Sequence, residues 1–292
     1  MTLRVACIGK NGQTARALAA AADGSFELIQ AGAAEADLRD DRSLAAFVER
    51  AKPDVLINAG AYNFVDKAET EEALAMAVNA SGPLALALLC RTRGIAFIHM
   101  STDCVFDGSG DQPHMEEETQ TPMSAYGRSK AAGEIAVATE YPDALTVRVA
   151  WVFSEYGDNF VSKMIELART RPKLRVVNDQ IGPPTYAPDI ARSLIRIARE
   201  KARGAQLSGL LHVVSSDVMD RASMARQIMA ESRAQGGPFA EIEGVTTAEF
   251  NAPAMRPLNA RLSNEKAVKL LGLTFTPWEQ ALKRSVAGIL AR

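Results

Sequence analysis

Three side chains in the order Thr102, Tyr126, Lys130 are the parts needed to move a proton: a hydroxyl, a phenol and an amine. Tyr126 and Lys130 are four residues apart, so on a helix they lie one turn apart on one face. An ammonium held there lowers the pKa of the phenol and brings a weak acid closer to its working range. Thr102 follows an apolar run, Ile95 to Met100, that reads as a buried strand. Strand ends in parallel α/β sheets are where active sites collect. A Tyr and a Lys four apart arise often by chance. The order strand, Ser101-Thr102-Asp103, loop, Tyr126-Gly127-Arg128-Ser129-Lys130 is much more specific.

The amino-terminal stretch supplies the matching half. Leu3 to Ile8 is a short apolar strand, then comes Gly9-Lys10-Asn11-Gly12-Gln13, then an Ala-rich helix over Ala15 to Ala22. Strand, glycine turn and helix form the context of a dinucleotide fingerprint. Gly9 permits the tight turn, and Gly12 lets the backbone approach a pyrophosphate at the helix N-terminus. Ala15 stands nearest the third glycine position and is small enough for close helix–sheet packing. Glycines also end strands without binding anything, but the placement favours binding here. The proton chemistry then belongs beside a nicotinamide.

These groups need a scaffold, and the chain alternates strands with helices. Strands are expected over Phe26–Gln30, Val55–Ala59, Ile95–Met100 and Ala144–Val149. Helices are expected over Ser43–Arg50, Thr70–Val78, Pro83–Arg93 (closed by Gly94) and Tyr126 to about Ala138. This rhythm implies an α/β fold with a Rossmann-like, doubly wound parallel sheet. The division is residues 1–150 as an NAD(P)-binding domain and 151–292 as a smaller C-terminal substrate-binding lobe, the two interleaved. In the second part, helices are expected over Asn159–Thr170 and Asp189–Arg199, and strands over Leu174–Val177 and Leu211–Val214. Ser263 and Gly272 bracket a short helix. Thr276-Pro277-Trp278-Glu279 reads as an N-cap, a first-turn Pro and a capping-box Glu opening the last one.

Composition narrows the function class. The 292 residues are 47% hydrophobic and 23% charged, enough for a sizeable core. The formal net charge of −2 carries no basic surface that asks for nucleic acid or membrane. No apolar run is expected to approach the roughly 20 residues of a membrane span, and no signal peptide is expected ahead of the first strand. Cys7, Cys90 and Cys104 are odd in number and lack metal-ligand spacing, so no metal site is expected and a reducing cytoplasm fits. His99 and His212 sit in apolar strands and read as core residues with satisfied nitrogens. The run Glu116-Glu117-Glu118 reads as solvated surface.

Taken together, the motifs resemble the dTDP-4-dehydrorhamnose reductase family of the extended short-chain dehydrogenase/reductase superfamily, nearly end to end. The resemblance is carried by the glycine turn, Asn58-Ala59-Gly60-Ala61-Tyr62, Val65-Asp66-Lys67-Ala68-Glu69 and Asn79-Ala80. It continues through Ser101 to Gly108, the Tyr126–Lys130 segment with Gly133-Glu134, Trp151-Val152-Phe153 and Asn159-Phe160. Asp179 to Thr185, Arg256-Pro257 and Arg261-Leu262 complete it. It implies hydride transfer from NAD(P)H to the C4 ketone of dTDP-4-dehydro-β-L-rhamnose. Tyr126 would then be the proton donor, Lys130 would hold the nicotinamide ribose, and Thr102 would bond the reacting oxygen. It places Val65, Asp103 and Trp151 around the sugar. It places Lys10, Asn11, Gln13, Thr14, Asp37, Leu38, Asn58, Ala59, Ala61, Tyr62, Asn63, Tyr126 and Lys130 with Gly9 and Gly12 around the cofactor. A homodimer is compatible with it.

The second strand ends Ile29-Gln30-Ala31-Gly32 without an acid, and Lys10 could meet a 2′-phosphate, so NADPH is expected ahead of NADH. Three positions depart from the family pattern: Cys104 replaces a usual Tyr, Asn63 a common Thr, and Met255 a frequent Arg. Cys104 reads as a small packing residue, since no His base is near it in sequence. It also cannot act as the acid that sugar-nucleotide dehydratases carry beside that Thr, which disfavours dehydration. The alternatives kept open are another sugar-nucleotide reductase or epimerase of the superfamily, and a non-catalytic NAD(P)-binding regulatory subunit, such as the methionine adenosyltransferase β subunit.

Overall fold

The computed structural model describes residues 2–292. Five consecutive strands, β1 (Leu3–Ile8), β2 (Phe26–Ala31), β3 (Val55–Asn58), β4 (Ala96–Thr102) and β5 (Leu145–Val149), pair in parallel in the order 2-1-3-4-5. A sixth parallel strand, Gly209–His212, adds to β5. The sheet thus takes a strand from far beyond residue 150. Strands so deep in a parallel sheet are buried on both faces, so they read as continuous apolar runs rather than alternating ones.

Helices cover both faces. α1 (Gln13–Ala20) and the long helix Ala187–Ala202 pack on one, around Val5, Cys7, Ile57, Ile98 and Val147. α2 (Asp41–Ala51) and α5 (Gly82–Arg93) pack on the other, around Leu44, Phe47, Leu56, Leu86 and Phe97. Between α2 and α5 lie the one-turn α3 (Val65–Ala68), α4 (Glu72–Met76) and a π-helical turn, Ala77–Ser81. The expected helix over Thr70–Val78 is therefore only partly α-helical. The π turn brings buried Asn79 across to the backbone of Tyr62, accepting its N–H at 2.8 Å and donating to its carbonyl at 3.1 Å. α6 (Ala125–Glu140) lies so close that a Cβ on Gly133 would meet the Asn79 carbonyl oxygen at 2.1 Å.

A separate cluster holds the second lobe: the helices Phe160–Ala168, Arg221–Ala234 and Trp278–Leu290 around Phe153, Met224, Ile228, Trp278 and Val286. Helix Arg221–Ala234, capped by Asp220 on the Ser223 N–H, has no counterpart among the sequence expectations.

Several expectations need correction. Glu72–Arg93 forms a continuous 22-residue helical stretch that contains an 18-residue window of mean hydropathy 1.8, by length and composition enough to cross a membrane. Its many Ala and Leu residues make it so. It packs on α6 and α2 through Ala75, Leu86, Ala87 and Cys90, and carries the hydrogen-bonded Asn79 inside it. Glu116 is not surface: it is buried and accepts the His212 backbone N–H at 3.0 Å. Thr276 does not cap the last helix. Its hydroxyl donates to Asp189 at 2.8 Å, and Pro277 stands at the cap position. His99 is only half satisfied, with Nδ1 at 3.2 Å from Asn58 and Nε2 buried without a partner.

Candidate active site

β1 and β3 are neighbours whose following connections leave in opposite directions, the switch point at which open α/β sheets bind ligands. Gly9 ends β1 with φ of +102°, a conformation favouring glycine, and a Cβ there would meet the Ala59 carbonyl carbon at 2.8 Å. The chain after β1 and the chain after β3 therefore touch backbone to backbone. α1 starts at Gly12 with no side-chain cap, which leaves first-turn N–H groups open to an anion.

A cavity of about 520 Å³ opens over these strand ends. Gly12, Gln13, Thr14, Ala59, Ala61, Asn63, Tyr126 and Lys130 line it, and so do Val65, Thr102, Asp103 and Trp151. Gly9, Lys10, Asn11, Asp37, Leu38, Asn58 and Tyr62 lie outside the lining. Leu38 packs in the core beside Gly60, and Asp37 pairs with Arg39. Asn58 holds the turn after β3, its Oδ1 accepting the Gly60 N–H at 3.2 Å, and the Tyr62 hydroxyl donates to Glu71 at 2.6 Å. Leu38 and Asn58 thereby support the cavity wall at Gly60 from behind. The cradle of open amides and close-packed glycines fits a dinucleotide.

The proton-handling groups converge in the same cavity. Thr102 ends β4, its hydroxyl donating to Asp103 Oδ1 at 2.9 Å. Tyr126 and Lys130 come from the first turns of α6, and Lys130 Nζ donates to the Met100 carbonyl at 2.7 Å. The expectation that the ammonium lowers the phenol's pKa is not met. Burial, then the neighbouring Cys104 and Asp103, push the Tyr126 phenol up, against a smaller downward pull from the nearby Thr102 hydroxyl. The phenol accordingly keeps its proton throughout the neutral range. Burial also lowers Lys130 to about 8, against the attraction of Glu134, and raises Asp103 to about 6. Burial likewise raises the Cys104 thiol, which leaves a thiol and not a nucleophilic thiolate.

A pH profile follows from these shifts. The Asp103 carboxylate that orients the Thr102 hydroxyl forms as pH rises through about 6, and the Lys130 ammonium is lost as pH rises through about 8. A plot of kcat/KM, which reports groups of the free enzyme, is expected to rise and fall at those two positions. Asp103→Asn should flatten the acid limb, and Lys130→Arg should carry the alkaline limb out of range. A profile flat from pH 5 to 9 would show that neither group matters.

The sequence assigns no site role to two residues that line the cavity, Arg221 and Arg256, or to Glu35, which lies outside the lining. Arg221, at the start of its helix, lies 3.5 Å over the Trp151 ring and 4.9 Å from the Phe160 ring centroid. Burial lowers its pKa to about 9. Trp151 itself adopts φ of +46°, and its ring sits where a Cβ on Gly182 would come within 2.6 Å. Arg256 lines the cavity and pairs with Asp66 at 2.8 Å. Glu35 stands beyond β2 and pairs with Lys10 at 2.6 Å, while accepting the Gly32 N–H at 2.8 Å. A lone Arg at a helix start carries no sequence signal of its pocket role. The Glu35 carboxylate was readable as an acid three residues beyond Gly32. Among the described residues no group of three or more His, Cys, Asp or Glu is placed to hold a metal ion.

Comparison with known proteins gives one consistent result. The family model described as RmlD substrate binding domain matches residues 3–290. A dTDP-4-dehydrorhamnose reductase from Sinorhizobium fredii (strain NBRC 101917 / NGR234) is 39% identical over 290 residues, covering 99% of this chain and 98% of that protein. The crystal structure of a dTDP-4-dehydrorhamnose reductase from Clostridium acetobutylicum superposes with a TM-score of 0.89 at 32% identity, covering 99% of each chain. That of the Bacillus anthracis dTDP-4-dehydrorhamnose reductase in complex with NADP superposes with a TM-score of 0.90 at 29% identity, covering 98% of this chain and 99% of that one.

Proposed function

The chain belongs to the RmlD substrate binding domain family, and from that premise we propose that it reduces the C4 ketone of dTDP-4-dehydro-β-L-rhamnose to dTDP-β-L-rhamnose with NAD(P)H. The observation that carries this reading is the meeting of Thr102, Tyr126 and Lys130 with the open start of α1 in one cavity. A regulatory subunit needs the cradle but has no use for the proton-handling set.

NAD(P)H supplies a hydride when bound; the rest is done by the chain. Gly12, Gln13 and Thr14 hold the pyrophosphate at the start of α1, with Ala59, Ala61 and Asn63 opposite. Lys130, anchored on the Met100 carbonyl, holds the nicotinamide ribose. The Thr102 hydroxyl turns from Asp103 Oδ1 to donate to the C4 oxygen, and Tyr126 Oη gives that oxygen its proton as negative charge develops there. Because the phenol stays protonated at neutral pH, the donor is loaded before the ketone arrives. Val65, Asp103 and Trp151 line the sugar side, and the guanidinium groups of Arg221 and Arg256 face an anionic nucleotide. The proposed division of labour assigns residues 1–150 to cofactor binding and 151–292 to the substrate. The helix Ala187–Ala202 and the strand Gly209–His212 cross back into the first part.

Purified protein should oxidise NAD(P)H only with a nucleotide-linked 4-keto-6-deoxyhexose, dTDP-4-dehydro-β-L-rhamnose being best in a panel. A UDP- or GDP-linked sugar reduced far faster would overturn the substrate assignment. NADPH and NADH both serve: the Lys10 charge expected to favour NADPH is shared with Glu35. Glu35→Gln frees Lys10 and removes a like charge from a 2′-phosphate, so the KM ratio is expected to move roughly three- to tenfold toward NADPH. An unchanged ratio would place the 2′ position elsewhere. A cytoplasmic location and a homodimer complete the proposal. The free thiols of Cys7 and Cys90 support the first, and sedimentation at twice the 31.3 kDa chain mass would test the second.

A further inference from the structure

α3 is one turn long and is held at both ends. The Asp66 carboxylate forms a two-point ion pair with the Arg256 guanidinium at 2.9 and 2.8 Å, and accepts the Ala254 N–H at 3.2 Å. Just past the other end, the Glu69 carboxylate accepts the Ala125 N–H at 2.9 Å. Ala125 is the first residue of α6 and Tyr126 the second. The first N–H groups of a helix have no partner within it. Here Ser124 Oγ takes that of Gly127 at 3.1 Å, and Glu69 takes that of Ala125. The backbone on both sides of Tyr126 is therefore pinned by side chains from two different segments. Ala68 is fully buried in a cluster with Ala125 and Tyr126, so α3 cannot shift without disturbing the packing around the phenol.

We propose that Glu69 is a positioning residue for proton transfer from Tyr126, and that α3 is the strut through which the Asp66–Arg256 contact reaches the first turn of α6. This rests on the reading of Tyr126 as the proton donor. Arg256 lines the substrate side of the cavity, so a nucleotide sugar that settles against it bears on the same strut. What Glu69 supplies is reach: Gln keeps the accepting oxygen and loses the charge, whereas Asp keeps the charge and falls one methylene short.

The test compares Glu69→Gln, Glu69→Asp and Glu69→Ala by steady-state kinetics in H₂O and D₂O, with amide hydrogen exchange of residues 124–128 in the cofactor-free protein. Glu69→Gln should stay close to wild type. Glu69→Asp and Glu69→Ala should lower kcat roughly ten- to a hundredfold, the size expected for a donor displaced by about 1 Å. In these two variants the cofactor KM should hold, the solvent isotope effect on kcat should rise, and exchange at 124–128 should quicken. Asp66→Asn should quicken the same amides and combine less than additively with Glu69→Asp. Wild-type kcat and exchange in Glu69→Asp, or a Glu69→Gln as damaged as Glu69→Ala, would overturn the proposal. Should Glu69→Ala fail to fold, the Gln and Asp pair still decides. If wild type turns over no 4-keto sugar nucleotide, the reaction assignment fails, while the exchange measurements still judge the strut.

Discussion

Tyr126→Phe is expected to lower kcat by roughly 10²- to 10⁴-fold, the usual size of a general-acid contribution. The substitution removes the hydroxyl and keeps the ring, which packs with Tyr62, Ala68, Ala75 and Ala125. The fold should survive it, and cofactor affinity should change little because Lys130, not Tyr126, is assigned the ribose. Lys130→Ala should damage both kcat and cofactor KM, since the amine is anchored on the Met100 carbonyl and faces the cavity. Thr102→Ala should be milder, because one neutral hydrogen bond is worth less than a proton donor. The rival reading makes Tyr126 a structural phenol at a helix start. That reading requires a lower melting temperature with kcat near wild type, so turnover and melting measured on the same variant separate the two.

Glu134→Ala should be among the most destabilising single changes in the chain. Arg148, in the middle of β5, is fully buried, and its guanidinium meets the Glu134 carboxylate at 2.7, 3.0 and 3.1 Å. It also lies 4.9 Å over the Phe106 ring and 3.3 Å from His212 Nε2. Gln120 donates to the same carboxylate. Removing Glu134 leaves a buried cation without its counter-ion, a loss of about 3–5 kcal/mol. For a chain of this length that corresponds to a fall in Tm of roughly 6–10 °C. Replacing both partners, with Glu134→Leu and Arg148→Met, should recover much of the loss, because neither charge is then stranded. A Glu134→Ala protein melting within about 1 °C of wild type would show that the pair does not hold β5 to α6. Glu134 also lies one turn beyond Lys130 and favours its charged form, so the same variant should move the alkaline limb of activity downward.

The proton-handling set and the buried Glu134–Arg148 pair differ in how local they are in sequence. The strand, hydroxyl, helix order of Thr102, Tyr126 and Lys130 is local information, since a helix places residues four apart on one face wherever it lies. The sheet was equally legible, because parallel strands covered on both sides must be apolar along their whole length. The glycine turn could be read because positive φ and close backbone approach both exclude a side chain, and Gly9 meets both conditions.

What escaped was every element whose partner lies far along the chain. Glu116 read as solvated because it stands in an acidic run, yet it is buried on the strand Gly209–His212. Thr276 read as a cap until Asp189 claimed its hydroxyl. The ammonium near it in sequence does not set the phenol's pKa, which burial governs. Arg221 and Trp151 lie 70 positions apart and stack at 3.5 Å only because the second lobe folds over the strand ends.

By itself, then, the sequence determined the alternating layers, the glycine turn after β1 and the shared helix face of Tyr126 and Lys130, all set by periodicity and local backbone conformation. Only the tertiary structure decided which charges are buried and paired, which carboxylate takes the first N–H of α6, and which cations line the cavity. Those depend on desolvation and on contacts such as Asp66 with Arg256, 190 positions apart. No local pattern encodes them, because the energy of a charge is set by what surrounds it in space.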